Sequence, residues 1–330
     1  MDSIVRRSKL IVPVNNPEFM ERALRCGADA LILDPGNVPP SGRKGEAGAL
    51  LREWIVIAAR TGSDVLMLIK HDFTRADLKA CVWPGLNGVV FPQAESAEEI
   101  IALDKMITEL EKERGVQKET VQIDVIVQTA KGIWDIHEIL GASGRVISVN
   151  IGTEEMAKDL GFEITDEVDQ FAYAKQRSVV AARSREDMGG IVTPPGAFLI
   201  GIQPHGLGYL DPSTRDYSAQ KKWLEAARIG YTMGFRGSIC TETEQVKPLN
   251  EGFTPMEEDV EHAKKMSETM TEAIAKGLGS ATMEDGKIVD INSLRPAKML
   301  IEEVEAINDK EKLKENALKL MGKSPGKEAM

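Results

Sequence analysis

DVIVQTAKGIWDIHEIL, residues 124–140, sets the end of a strand against the start of a helix. Val125 to Val127 read as a buried strand, and Gly132 onward reads as a helix. Gln128 and Thr129 stand at the joint. In a β/α protein such a joint is where chemistry is placed and where charge is usual. Here the residue is a neutral glutamine.

The same strand, joint and helix recur along the chain. Apolar runs occupy 8–14, 28–34, 64–70, 88–93, 122–128, 145–152, 197–203 and 237–242. Each is rich in Val, Ile and Leu without strict alternation, as strands buried on both faces of a parallel sheet are. Helical segments lie between them. Several begin at a cap: Asn16 before Pro17, Ser96 with Glu98 and Glu99 in its first turn, and Ser218 before Ala219. A doubly wound sheet is the competing layout. Eight β–α units in roughly 250 residues fit an α/β (β/α)8 TIM barrel better.

Beyond the eighth run, 256–280 and 293–321 read as helices, joined by GSATMEDGKIVDIN with a turn at Asp285-Gly286. The expected organisation is a barrel over 1–250 and a C-terminal helical extension over 251–321 that packs on a neighbouring subunit. A tail follows over 322–330 with no apolar pattern.

The net charge of −11 repels phosphate backbones, which argues against nucleic acid as a partner. No apolar run approaches a membrane span or a leader peptide. Three widely spaced cysteines, Cys26, Cys81 and Cys240, fit reduced thiols. A cytoplasmic protein acting on a small molecule is expected.

In a barrel the site lies at the C-terminal strand ends. Those ends offer Asp34; Lys70, His71 and Asp72; Gln93 with Glu95 beyond it; and Gln128 with Thr129. They continue through Gly152 to Glu155, then Gln203 and His205, then Glu242 and Glu244. A rim so rich in oxygen suits Mg²⁺ or Mn²⁺ bridged to an anionic substrate. Plainer roles compete. Glu154 and Glu155 open a helix, where a carboxylate favours the dipole. His205 beside glycine suits a solvated loop. A lysine such as Lys70 at a barrel mouth needs an anionic partner.

RRSKLIVPVNNPEFMERALRCGADALILD, VPP, WPGLNGVVFPQAESAEEI, QTAKGIWDIHEI, RVISVNIGTEEMAKDLG, QVKPLNEGFTP and DGKIVDINSLRPAKML follow one another in order. In this series the chain resembles the citrate lyase β-subunit-like proteins of the 2-oxo acid (HpcH/HpaI) aldolase superfamily, which includes malyl-CoA lyases. The likeness runs from Arg7 to Ala306. It implies a barrel assembled as a homotrimer or hexamer, a bound Mg²⁺ (or Mn²⁺), and a C–C bond made or broken beside a CoA thioester.

The resemblance also places residues. The strand-five metal ligand, the Glu of E-T-A-x-G, falls on Gln128, and the strand-six Asp of G-x-E-D-L falls on Glu155. The strand-three arginine falls on Leu68 or, with a two-residue slip, on Lys70. The lysine and glutamate of P-K-x-E-S fall on Gln93 and Glu95. Of the acids in D-L-E-D-x-V-P only Asp34 is kept. The strand-eight H-P falls on Glu242 and Thr243. M-I-D survives as IVD, so Asp290 matches an acid that reaches into a neighbouring subunit's site.

These matches imply catalytic roles for Asp290, Lys70 and Asp34, and substrate contacts from Gln93, Glu95, Gln128 and Thr129. They imply metal ligation by Glu155 and Gln128. Charge has been lost at several of these positions. Gln128 offers only a neutral carbonyl oxygen or an N–H. Lys70 replaces an arginine fork by a point charge. The expected function is a metal-assisted carbon–carbon lyase acting on a hydroxyacyl-CoA or hydroxy acid. Schiff-base chemistry on Lys70 and a non-catalytic ligand-binding or assembly subunit are the alternatives.

Overall fold

The computed structural model describes residues 4–36, 44–73, 75–165, 168–184, 199–202 and 217–321. The V-P-P at 38–40, Gln203, His205 and the tail 322–330 lie outside these residues. All eight expected runs carry a strand: β1 (Ser8–Pro13), β2 (Ala30–Asp34), β3 (Asp64–Leu68), β4 (Gly88–Phe91), β5 (Gln122–Val127), β6 (Val146–Ile151), β7 (Leu199–Ile202) and β8 (Gly237–Cys240). They pair in parallel in sequence order, and β1 closes on β8 to complete a barrel.

The helices that cover it are α1 (Pro17–Ala23), α2 (Lys44–Ala58), α3 (Arg75–Cys81), α4 (Ala97–Arg114), α5 (Ala130–Trp134), α6 (Ile136–Gly141), α7 (Thr153–Leu160), α8 (Ala172–Ser184), α9 (Tyr217–Met233) and α10 (Thr243–Gly252). Among the described residues no helix is long and apolar enough to cross a membrane. Asn16 caps α1 by accepting the Phe19 N–H, and Ser96 forms a reciprocal capping box with Glu99 at α4. Helix α9 starts at Tyr217, one residue before the expected cap Ser218.

Alternate strand residues face inward. Ala30, Ile32, Leu66, Val90, Ile126 and Ile239 make an apolar interior cluster. Beside it the filling is polar. Lys9 Nζ donates to Asp124 Oδ2 at 2.8 Å and to Ser148 Oγ at 3.1 Å, and Asn150 Nδ2 donates to the other Asp124 oxygen. Outward residues such as Leu31, Val65, Phe91, Val125 and Val149 pack under the helices in a separate, larger core.

The segment after α10 forms α11 (Glu257–Ala275), a hairpin of β9 (Ser280–Thr282) and β10 (Ile288–Asp290), and α12 (Ile291–Met321). The turn read at Asp285-Gly286 is the hairpin tip. Met270, Met283 and Val289 give this segment a small core of its own. The later turns of α12 lie under the N-terminal ends of the barrel strands of the same chain. Lys314 Nζ meets Asp29 Oδ1 at 2.6 Å, while Arg7 Nε holds Asp29 Oδ2 at 2.8 Å. Lys310 pairs with Asp64, which also receives Arg6 at 2.7 Å, and Glu311 pairs with Arg7. Gly62 (φ 78°) lets the helix in, because a Cβ there would sit 3.0 Å from the Lys314 backbone.

Asp29 is fully buried among these cations. Burial works to raise its carboxyl pKa, but the Arg7 hydrogen bond and the charges of Arg7 and Lys314 outweigh it and hold the group below its usual 3.8. The folded chain therefore keeps Asp29 ionised to a lower pH than the unfolded chain does. That stabilisation is complete above about pH 4 and is lost as pH falls through the folded pKa. Asp29→Asn should lose about 3–5 kcal/mol at pH 7, because it strands buried cations. Urea melts at pH 7 and pH 3 measure both effects. The gap between native and variant should shrink on acidification; a gap that stays constant would refute the assignment.

Candidate active site

The mouth of the barrel is organised by the joint after β4. The chain leaves β4 at Phe91 and turns at Gln93, whose φ of 55° is left-handed. The Ala94 N–H then donates to Ile126 O at 3.2 Å. The Gln93 N–H donates to Gln128 Oε1 at 3.0 Å. Two successive N–H groups thus tie this joint to the end of β5. Helix α5 closes over the tie. A Cβ on Gly132 would lie 2.4 Å from Ala94 O and 2.8 Å from Val127 Cγ1, so only glycine fits. Thr129 caps the helix, its Oγ1 accepting the Gly132 N–H at 3.1 Å.

Helix α7 opens beside the same strand end, with the Gly152 N–H donating to Val127 O at 2.9 Å. Glu155 lies half-buried in its first turn. Gln93, Thr129, Gln128 and the start of α7 are therefore brought to one sector. Glu95 edges that sector and faces Lys131 Nζ at 3.7 Å. The Gln128 side chain is buried, whereas the Gln93 side chain is exposed.

The other expected residues stand elsewhere. Asp34 ends β2, where its Oδ1 accepts the Gly36 N–H at 2.7 Å. Lys70 lies two residues beyond β3 and is solvent-exposed. A Schiff-base lysine is activated by desolvation or a neighbouring cation, and an exposed side chain has no desolvation to use. Glu242 opens α10 with Gln245 in a capping box. Asp290 sits on the hairpin, where its carboxylate accepts from Ser293 and Asn292. The Ser293 N–H first, and then the Asn292 side chain, hold the Asp290 carboxyl below its usual range.

Two arrangements had no signal in residue spacing. His71 Nε2 lies 3.5 Å from Glu99 Oε1, and its ring stacks on Phe91 at 5.7 Å. The other Glu99 oxygen accepts the Glu95 and Ser96 N–H groups. The Lys9–Asp124–Asn150 network was foreshadowed only by polar residues at inward positions of apolar runs.

For a divalent metal this site supplies little charge. Among the described residues no three His, Cys, Asp or Glu side chains gather closely enough to hold an ion. Mg²⁺ can take one or two carboxylates and fill its shell with waters and substrate oxygens. Glu155 fits an open site of that kind, and nothing among the described residues forms a closed cage.

Comparison with known proteins gives a consistent answer. Residues 7–192 match the family model described as HpcH/HpaI aldolase/citrate lyase. The citrate lyase subunit beta of Haemophilus influenzae is 25% identical over 90% of this chain and 96% of its own length. An L-malyl-CoA/beta-methylmalyl-CoA lyase of Cereibacter sphaeroides is 26% identical over 92% and 95%. Among solved structures, Mycobacterium tuberculosis CitE, in complex with magnesium, acetoacetate and coenzyme A, shares the fold at a TM-score of 0.61 and 20% identity, over 92% of this chain and 100% of that one. A Burkholderia xenovorans citrate lyase reaches 0.70 at 15% identity, over 93% and 94%. The family match spans more than half of the sequence, and the chain belongs to the HpcH/HpaI aldolase/citrate lyase family.

Proposed function

We propose that this protein is a carbon–carbon lyase that cleaves a hydroxyacyl-CoA or a hydroxy acid by aldol- or Claisen-type chemistry. The observation that carries this reading is the sector at the ends of β5 and β6. There Gln128, Thr129 and Gln93 stand together, and the helix turn that carries Glu155 opens beside them, at the mouth of a barrel of lyase lineage. The names of its relatives support a CoA thioester as the substrate class.

Mg²⁺, or Mn²⁺ in its place, would be held through Glu155, and when bound it supplies Lewis-acid polarisation of a substrate oxygen. The remaining work belongs to the chain. The first turn of α7 presents N–H groups to negative charge. Lys70 steadies a distal anionic group as a point charge at the rim. Asp34 lies on the opposite sector, where it can accept from a substrate hydroxyl. Asp290 acts from a neighbouring subunit in a homotrimer or hexamer. Ionised, it takes the hydroxyl proton as the C–C bond breaks, and the electron pair of that bond passes into the thioester enolate. Returning the proton to carbon completes the reaction.

Incubation with malyl-CoA, β-methylmalyl-CoA and citrate, with and without Mg²⁺, is the direct assay. Metal-dependent release of an oxo acid is expected, together with an acyl-CoA from either thioester or acetate from citrate, falling about 100-fold or more in kcat/KM for Glu155→Ala. Silence across the panel would remove the reading.

Shared sites have their own signature. Asp290→Ala and Glu155→Ala subunits, mixed and reassembled, should regain activity that neither has alone. Failure to recover would put Asp290 outside the site. One observation favours a second reading, a binding or assembly subunit that keeps the barrel: the absence of a carboxylate cluster among the described residues. In that case Gln128→Glu with Glu155→Asp stays inert.

A further inference from the structure

We infer that Gln128 is an N–H donor to a substrate oxygen, standing where a glutamate would present a metal ligand. The inference deepens the lyase reading and rests on it for the identity of the substrate class. It starts from the Gln93 N–H. A backbone N–H can only donate, so the side-chain atom that faces it must be an acceptor. That atom is Gln128 Oε1, at 3.0 Å. Turning the carboxamide over would set Nε2 against the N–H, donor against donor. The orientation is therefore decided by a neighbour that has no alternative.

The neighbour cannot move aside either. Gln93 holds a left-handed φ of 55° that non-glycine residues rarely adopt, and such strain persists only where the surroundings impose it. The adjacent Ala94 N–H is anchored on Ile126 O. The glycine at 132 lets α5 press on Ala94 O from the other side. Thr129, next to Gln128, is committed to capping that helix.

With Oε1 occupied, Nε2 carries two N–H groups that have no acceptor among the described residues. Gln128 is only 7% exposed, and the exposed part of the side chain includes Nε2, which reaches the solvent at the barrel mouth where a ligand would sit. A donor held in a fixed direction at a site mouth can exchange its water for a ligand acceptor. A cation is repelled by the positive end of the N–H dipoles. An anionic or carbonyl oxygen is attracted, most strongly as negative charge develops on it. The ligand class is a carboxylate or an enolate-like oxygen pair. Glu155, in the first turn of α7, would remain the carboxylate that holds a metal.

Calorimetric titration separates the possibilities, with oxalate as the probe in the presence of EDTA, and with Mg²⁺ alone. Native protein should bind oxalate without metal. Gln128→Met, which matches the volume without the N–H groups, should bind it about tenfold more weakly. Gln128→Glu should weaken metal-free oxalate likewise and bind Mg²⁺ about tenfold or more tightly than the native protein does. The inference is overturned if native protein ignores oxalate without metal, if Gln128→Met binds it as well as native, or if native and Gln128→Glu hold Mg²⁺ equally. Circular dichroism establishes that each variant is folded, and Gln128→Met decides alone if the charged variant is not. No titration needs turnover, so loss of oxalate binding and absence of lyase activity are distinguishable results.

Discussion

A backbone N–H inside a folded protein must find an acceptor, and at the mouth of this barrel the Gln93 N–H finds Gln128. That single bond orients the neutral Gln128 side chain at the end of β5. It requires the left-handed turn at Gln93 and the close approach of α5 at Gly132. A glutamate in the same place would offer one oxygen to the N–H and keep a second for a metal. A glutamine offers one oxygen and keeps two donors. The backbone geometry is equally suited to either residue, while the preferred ligand changes sign.

Below that mouth the barrel handles charge at two further levels. Within it, Lys9 and Asp124 form an ion pair across the interior from β1 to β5. Burial pushes the Lys9 ammonium pKa down, and Asp124 opposes that shift. Ser148 and Asn150 satisfy more of the pair's hydrogen-bonding groups, which a buried ion pair needs if it is not to cost stability. At the N-terminal end, α12 supplies Lys310, Glu311 and Lys314 to Arg6, Arg7, Asp29 and Asp64. The end remote from the site is thus sealed by the chain's own last helix, and the hairpin bearing Asp290 precedes that helix directly.

The strands were legible because burial on both faces leaves unbroken Val, Ile and Leu runs, as in 122–128. The caps at Asn16 and Ser96 were legible because short polar side chains satisfy the first N–H groups of a helix locally. The tie between Gln93 and Gln128 was not, since it joins residues 35 apart through a backbone group that carries no sequence identity. Nor was the meeting of Lys314 with Asp29, 285 positions apart. In sequence an extension shows only that it has an apolar face to cover. The side chains that face it belong to tertiary structure. His71 and Glu99 were each visible, but their contact follows from the stacking of His71 on Phe91.

The most direct measurement is a crystal structure of the native protein grown with Mn²⁺ and oxalate, with the metal located by its anomalous scattering. We expect Gln128 Oε1 to stay on the Gln93 N–H and Nε2 to lie within hydrogen-bonding distance of an oxalate oxygen, with any Mn²⁺ on the Glu155 side. A Mn²⁺ ion coordinated by Gln128 Oε1, with Nε2 turned away from the ligand, would contradict the assignment of Gln128 as a donor.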